Sequence, residues 1–484
     1  MSTLLSTLPL IAAALLAALI VTFALAGAVQ VTSRREHGYL HLIFYAMLFT
    51  VAAVSLLSGR DMSTSAQLAA AGALPVPRHP LLSLLNPVVS LLILVVCTER
   101  IVTHWLLRKT SQSSPLMLIA FIVFWLSTVA APALFGANPK LSHDYAYALV
   151  IGLAAFTASA PERDQSLRAV RDAVLVFMSL GFLMIPFKVS LVMDLSYVQG
   201  WLPGLPRLAG LAPHAVSLGL LAQLGLLCLL ARPYERRWLN RLAWTVGLLT
   251  LFMAQSKTAW LAFVLCTGAM LWMQHGSAFW RRMVNPMQPG PGQLTLAALM
   301  LGVMALAGVL MFGDVSVRLD RFINTPEGAQ LTSLTGRDRI WAIAWEEWAR
   351  NPVFGHGPGI WDESFRASSG MSNATHAHNQ FMDTLSRAGT VGAVGLGFYA
   401  SVLLWLSLRF ARTTQGLSLG LFLALLLRSI SEVPLLMFGY SPDLIIHVLL
   451  LIVLASATRQ ARTKAPRAAF RPTTHGRAGA HARP

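Results

Sequence analysis

The chain has 484 residues, of which 55% are hydrophobic and only 12% charged, where a soluble domain carries about 25% charged residues, so an ordinary water-soluble enzyme is excluded. The net charge of +17 does not indicate a nucleic-acid binder. Its Arg and Lys residues sit in short segments between apolar runs, "SRREHG", "RKTSQ", "PERDQSLRAVR", "RPYERRWLNR", "FWRRM" and "RFARTTQG", and cation-rich alternate loops mark the cytoplasmic side of a polytopic membrane protein.

In chain order the apolar runs predict membrane helices near 5–30, 39–58, 82–99, 115–135, 144–160, 172–192, 212–231, 242–255, 258–274, 294–313, 391–410, 417–433 and 443–458. A bilayer-crossing helix needs about 20 mostly apolar residues, and twelve or thirteen spans are expected, with one of these segments re-entrant or misassigned. The fold class is therefore all-α and polytopic. The first run lacks a preceding basic residue and is longer than a signal-peptide core, so it reads as a retained helix. Cys97, Cys228 and Cys266 all lie inside apolar runs, which argues against disulfides and thiol catalysis.

Four regions follow: spans and short loops over 1–313, a large outward loop over 314–390, the last spans over 391–458, and a basic tail over 459–484. The tail holds no acidic residue and is expected to be disordered, cytoplasmic and drawn to anionic lipid. The loop holds nine of the twenty acidic residues and seven arginines, so it is the region where polar chemistry is concentrated.

Within the loop, "TGRDRIWAIAWEEWARNP" predicts a helix. Thr335 and Asp338 resemble a capping box, and Asn351-Pro352 ends it. Trp341, Trp345 and Trp348 recur at helical spacing on one face, with Glu346, Glu347 and Arg350 on the other. That Trp face suits either a membrane interface or packing onto the helix bundle. After the turn-rich "FGHGPG" comes "ATHAHNQFMDTLSRAG", about three helical turns that bend or continue into the next span at Gly389.

His376, His378 and Asp383 have a spacing that occasionally supports a metal. The chain has no HExxH, paired CxxC or DxD, so neither metal nor cofactor is expected. Ser386 lacks any nucleophile-elbow setting. What stands out is a histidine among cations: Arg337, Arg339, Arg350, Arg366 and Arg387 in the loop, with Arg207 and Lys257 in outward turns almost devoid of other charge. Guanidinium groups donate paired hydrogen bonds to phosphate oxygens, and a neutral imidazole accepts a proton near pH 7. A lipid-borne diphosphate as leaving group and an activated hydroxyl as nucleophile would use both.

"HNQFMDTLSRAGTVG" resembles the histidine signature of bacterial O-antigen ligases, with His378, Asn379, Gly389 and Gly392 in register. "GRDRIWAIAWEEWARNPVFGHGPG" resembles the arginine-bearing, Trp-rich segment and glycine turn of the same superfamily. "AQSKTAW" is similar to its outward "SRxA" turn, with Lys257 in place of arginine. The resemblance covers roughly 200–460 and implies a GT-C-like, inverting, metal-independent glycosyltransferase. On it, His378 is the base, Arg337, Arg339, Lys257 and Arg207 bind the donor diphosphate, and Asn379, His376, Asp383 and Gly389 support the site. It further implies a donor polysaccharide on undecaprenyl diphosphate, a lipid A-core acceptor, and an active site on the periplasmic face of the bacterial inner membrane. O-antigen polymerases and protein oligosaccharyltransferases share this donor chemistry. A transporter is the alternative of another class, for which Arg428 and Glu432 would form an intramembrane i, i+4 pair.

Overall fold

The computed structural model describes residues 38–62, 79–106, 114–195, 205–284, 337–371 and 374–464, with isolated positions near 22–30 and 297–304. The expected spans 5–30 and 294–313, the loop segment 314–336 with Thr335, and the tail beyond 464 lie outside the described residues.

The described part is overwhelmingly helical: α1 (Leu42–Leu57), α2 (Pro80–Leu106), α3 (Pro115–Phe135), α4 (Asp144–Ala155), α5 (Ala160–Leu183), α6 (Ala215–Ala231), α7 (Arg237–Met253), α8 (Lys257–Val284), α9 (Arg337–Arg350), α10 (Glu363–Ser369), α11 (Gln380–Arg409), α12 (Leu417–Ser431) and α13 (Pro442–Lys464). Each expected span within the described residues is a helix. Four of them, α2, α3, α11 and α13, are long and apolar enough to cross a membrane, while α1, α4, α6 and α12 are shorter apolar helices. A single two-residue antiparallel pairing, β1 (Met193–Asp194) with β2 (Arg207–Leu208), closes the loop between α5 and α6.

Burial sorts the helices into centre and periphery. Every residue of α13 from Leu444 to Arg459 is buried, and α6 is nearly as enclosed; α13 packs on α4, α5 and α12, and α6 on α5, α7 and α8. By contrast α2 exposes Leu81, Leu84, Val88, Leu91 and Leu92, and α3 exposes Leu116 and Ile119. Apolar side chains turned outward on a long helix suit a hydrocarbon surrounding. Inside, Tyr399 of α11 and His447 of α13 share a 2.5 Å hydrogen bond, and the Tyr399 ring stacks on Phe124 of α3, which pairs the hydroxyl of a fully buried tyrosine.

Several boundaries differ from expectation: α13 runs to Lys464, so residues 459–464 of the expected disordered tail are helical, and the helix of the span expected over 172–192 ends at Leu183. "PERDQSLRAVR", read as a cytoplasmic loop, is the first half of α5. Glu162 reaches back to the N–H of Ser159 at 2.8 Å, Pro161 stands in the first turn, and together they start the helix ten or so residues before its apolar run. Glu162 also accepts from Arg100 at 2.7 Å, both side chains being buried, so the charge that disguised this helix is neutralised inside the bundle.

The Trp-rich helix forms as α9 and lies against the first turns of α11. Its tryptophans divide. Trp341 donates to the carbonyl of Ala377 at 2.9 Å, whereas Trp345 is exposed with its ring 4.6 Å from that of Trp348. Glu347, on the face opposite the tryptophans, does not face solvent. It is buried and binds both Arg350 and His356 at 2.6 and 2.7 Å. Ile340, Ala344, Ile360, Trp361, Ala374 and Ala377 form a small second core beside the main bundle.

Candidate active site

The two histidines stand on the turn that leads into α11. Asn379 caps that helix, its Oδ1 accepting from the Met382 N–H at 3.1 Å, and its Nδ2 donates to the Ile430 carbonyl at 3.2 Å in the last turn of α12. One side chain therefore ties the start of α11 to the end of α12. The next stage is set by Glu432, which ends α12 with extended backbone (φ −145°) and projects toward the histidine turn.

There Glu432 Oε2 lies 3.4 Å from His376 Nε2 and 3.4 Å from His378 Nδ1. The imidazole centroids are 4.3 Å apart and the rings cross at 64°. His378 adopts φ +48°, a left-handed conformation uncommon outside glycine, and its N–H points back to His376 Nδ1 at 3.1 Å. The strained turn is what lays both rings on one carboxylate, and strain of this kind, of order 1–3 kcal/mol, concentrates at functional sites.

One hydrogen bond fixes the tautomer of His376. Because His376 Nδ1 accepts a backbone N–H, its Nε2 carries the proton in the neutral ring and faces Glu432. Burial, then the neighbouring His378, lower the His376 pKa to about 4, so this ring is neutral near pH 7. His378 Nδ1 is shielded from solvent, has no hydrogen-bond partner and faces Glu432 at 3.4 Å, so a proton on Nδ1 meets the carboxylate and leaves the Nε2 lone pair available. Burial pushes the Glu432 carboxyl up, but its interactions with His378, His376 and His214 outweigh burial and hold the pKa below the ordinary carboxylate value.

The three groups have ligand atoms within 4.8 Å of one another, near enough to touch one ion. The donor set does not fit. His376 presents a protonated Nε2 to the common point, and turning its lone pair there would set Nδ1–H against the His378 N–H. As arranged, the cluster is a relay of two imidazoles that face one carboxylate oxygen at 3.4 Å.

His214 joins this neighbourhood from the other side of the bundle. It caps α6, accepting from the Ser217 N–H at 3.4 Å, and although the residue reaches solvent, surrounding atoms lower its pKa against the pull of Glu432, with Arg207, Arg428 and His378 adding to the lowering. Arg207 on β2 donates to the Ala254 carbonyl at 2.9 Å, and Gln255 of the same turn donates to Leu205 at 2.9 Å. The turn leads directly into Lys257, the exposed first residue of α8. Arg207 is thereby held against the turn that leads into Lys257, and it acts electrostatically on His214.

The loop arginines are dispersed. Arg337 and Arg339 occupy the first turn of α9, half-buried and exposed, with Arg339 lying against Gly370; no contact places them at the histidines. Arg350 pairs with Glu346 and Glu347 at 2.6 Å each. Arg387 pairs with Asp383 at 3.1 Å and donates to the Pro358 carbonyl at 2.8 Å, with both side chains buried, so it holds the loop together with its charge paired, while still acting electrostatically on His376. Asp383 also accepts from the Ala377 N–H at 3.1 Å, anchoring the residue next to His378. The expected Arg428–Glu432 ion pair is corrected as well: Arg428 pairs with Asp443 on α13, which frees Glu432 for the histidines.

Residues 242–397 match the family model described as O-antigen ligase. It is over this segment that the chain is similar to the O-antigen ligase family. No curated protein matches it. The match to the O-antigen ligase model takes in Lys257, Arg337, Arg339, His376, His378, Asn379, Asp383 and Gly389, and leaves out Arg207, His214 and Glu432. Sequence reasoning missed Glu432 and His214 as site residues. For Glu432 one signal was present: Pro434 disfavours helix at Val433, so α12 had to end nearby and release the carboxylate from its i, i+4 relation to Arg428.

Proposed function

We propose that this protein is an O-antigen ligase, a GT-C-like membrane glycosyltransferase that moves a polysaccharide from undecaprenyl diphosphate to a sugar hydroxyl of lipid A-core. The observation that carries the reading is His378 held on the Glu432 carboxylate with its Nε2 lone pair available, inside the stretch that matches the ligase family. The acceptor oxygen attacks the anomeric carbon and inverts it, its proton passes to His378 Nε2, and the bond from carbon to the diphosphate oxygen breaks with its electron pair leaving on the diphosphate. Glu432 stabilises the imidazolium that forms, as the third member of a triad does. No metal takes part in this scheme.

Cations are assigned to the leaving group. Arg207, held against the turn before Lys257, and Lys257 are assigned to meet the developing charge of the diphosphate; Arg337 and Arg339 are assigned to the same donor through movement of α9 or along the more distant part of the substrate. Asn379, His376, Asp383 and Gly389 position the base. The catalytic face is the periplasmic side of the inner membrane, formed by the 314–390 loop and the ends of α6, α8, α11 and α12, with the C-terminus cytoplasmic.

The test is reconstitution of purified protein with lipid-linked glycan and lipid A-core. A ladder on the core together with released undecaprenyl diphosphate is expected. Polymer growth on the lipid carrier, or transfer to protein, would replace the ligase by a polymerase or oligosaccharyltransferase, and movement of substrate without any released diphosphate would replace it by a transporter. In the same assay Lys257→Ala and Arg207→Ala are each expected to lower kcat/KM for the donor by about tenfold to a hundredfold, corresponding to the loss of one charge-assisted hydrogen bond of about 1.5–3 kcal/mol. An effect confined to the acceptor would overturn their assignment.

A further inference from the structure

A cleft of about 470 Å³ lies outside the histidine relay, between the turn after α3 and the segment that carries α10, and Asn138, Lys140, His356, Asp362, Ser364, Phe365 and Ser368 line it. Its size falls in the range of small-molecule sites. We infer that this cleft is a saccharide subsite, which holds sugar rings of one substrate next to the reacting end. The inference rests on the transferase reading of the histidine relay and adds to it a place for the glycan.

The charge at the cleft argues against the alternatives. Lys140 faces Asp362 at 3.8 Å, and His356 is bound to Glu347 at 2.7 Å, so no excess of positive charge awaits a phosphate. Its polar rim is equally unsuited to a lipid chain. What is offered is a mixture of acceptors and donors. Ser364 donates to Asp362 at 2.7 Å and Ser368 to the Phe365 carbonyl at 2.9 Å, and both hydroxyl oxygens keep acceptor capacity. Asn138 Nδ2 spends one proton on His356 Nε2 at 3.0 Å, leaving its amide oxygen and second N–H. Sugar hydroxyls donate and accept at once, and such a set matches them, while the Phe365 ring supplies an apolar surface for the C–H face of a pyranose.

The cleft is also rigid and joined to the relay. Asn138 N–H donates to the His356 carbonyl at 2.8 Å, and the His356 and Gly357 N–H groups donate to the Ser386 and Arg387 carbonyls of α11 at 2.9 and 3.0 Å. Edge contacts of Phe365 with His356 and Trp361, at 4.8 and 5.5 Å between centroids, fix its ring. Phe365 and Trp361 belong to the small core that contains Ala377, one residue before His378. A sugar bound there lies against the scaffold that sets the base.

Saturation-transfer NMR on the full-length protein in micelles tests this, with delipidated core oligosaccharide and glycan released from the donor as two separate probes. One of the two is expected to receive saturation from the wild type and from His378→Ala alike, and inorganic phosphate is expected not to displace it. Ser368→Trp fills the cleft from an exposed position, and it should weaken that probe about tenfold, or 1.4 kcal/mol, and raise KM for the matching substrate by the same factor. Asn138→Ala, also exposed, should act in the same direction. Saturation of neither saccharide, displacement by phosphate, or an unchanged dissociation constant in both variants would overturn the inference. Saccharide binding that responds to both variants in a protein that transfers nothing would leave the cleft standing and remove the transferase reading.

Discussion

Replacing His378 by alanine is expected to lower glycan transfer by about 10²–10⁴-fold, the contribution typical of a positioned general base, while the protein remains folded and in the membrane. The second half of that expectation follows from the packing. The His378 ring is partly exposed and rests on Glu432 through a single long contact of 3.4 Å, and α11 is capped by Asn379 and anchored through Asp383, neither of which needs the imidazole. Loss of the ring even relieves nothing essential, since the positive φ of His378 belongs to a turn stabilised by its own backbone N–H. Glu432→Gln separates base from orienter. The amide matches the carboxylate in shape but presents no charge to the forming imidazolium, so kcat is expected to fall by at least about tenfold with both KM values nearly constant, the pattern of an interaction made in the transition state. Transfer by His378→Ala above about a tenth of the wild-type rate would dismiss it as the base, and a Glu432→Gln effect seen only in KM would assign that residue to binding.

The sequence made the helices legible because apolar side chains continue for the length a bilayer demands, and each such run within the described residues is helical. It misjudged α5 because the charges of "PERDQSLRAVR" are compensated by partners far along the chain, Arg100 to Glu162 and Arg232 to Asp164, which no local pattern reveals. At the candidate site the same division holds. His378, Asn379 and Gly389 are readable from a short motif, since one turn and one helix start place them. Glu432 belongs to another helix, and its alignment with the histidines depends on α12 packing beside α11. Arg387 was read as one of the loop cations around the histidine, yet Asp383 four residues earlier is the helical spacing for an ion pair, and the two are paired and buried.

Gly389→Ala is expected to prevent stable folding, and the reason is local. Gly389 breaks α11 with φ +64° and ψ −161°, a region open in practice to glycine alone and costing other residues about 1–3 kcal/mol. An added Cβ would stand 2.4 Å from the Val353 carbonyl oxygen and 2.7 Å from the Gly355 nitrogen. Both are backbone atoms held in place, because Thr390 and Val391 donate to the carbonyls of Pro352 and Val353 at 2.8 and 3.2 Å and Gly355 donates to Asn351 at 2.9 Å. Making room means giving up two or three of these bonds, at about 1 kcal/mol each. With the backbone strain the total is about 3–6 kcal/mol, against a whole-protein stability of about 5–15 kcal/mol. The control is Gly397→Ala on the same helix, where a Cβ meets nothing within 4 Å and the better helix propensity of alanine is worth about 0.5–1 kcal/mol. Thermal unfolding of the two variants in detergent, followed by size-exclusion chromatography, should show Gly397→Ala at or above the wild type and Gly389→Ala aggregated or absent. Equal stability of the pair would mean that the close approach of the 352–355 turn to α11, and with it the seat of the histidine relay, is not as described.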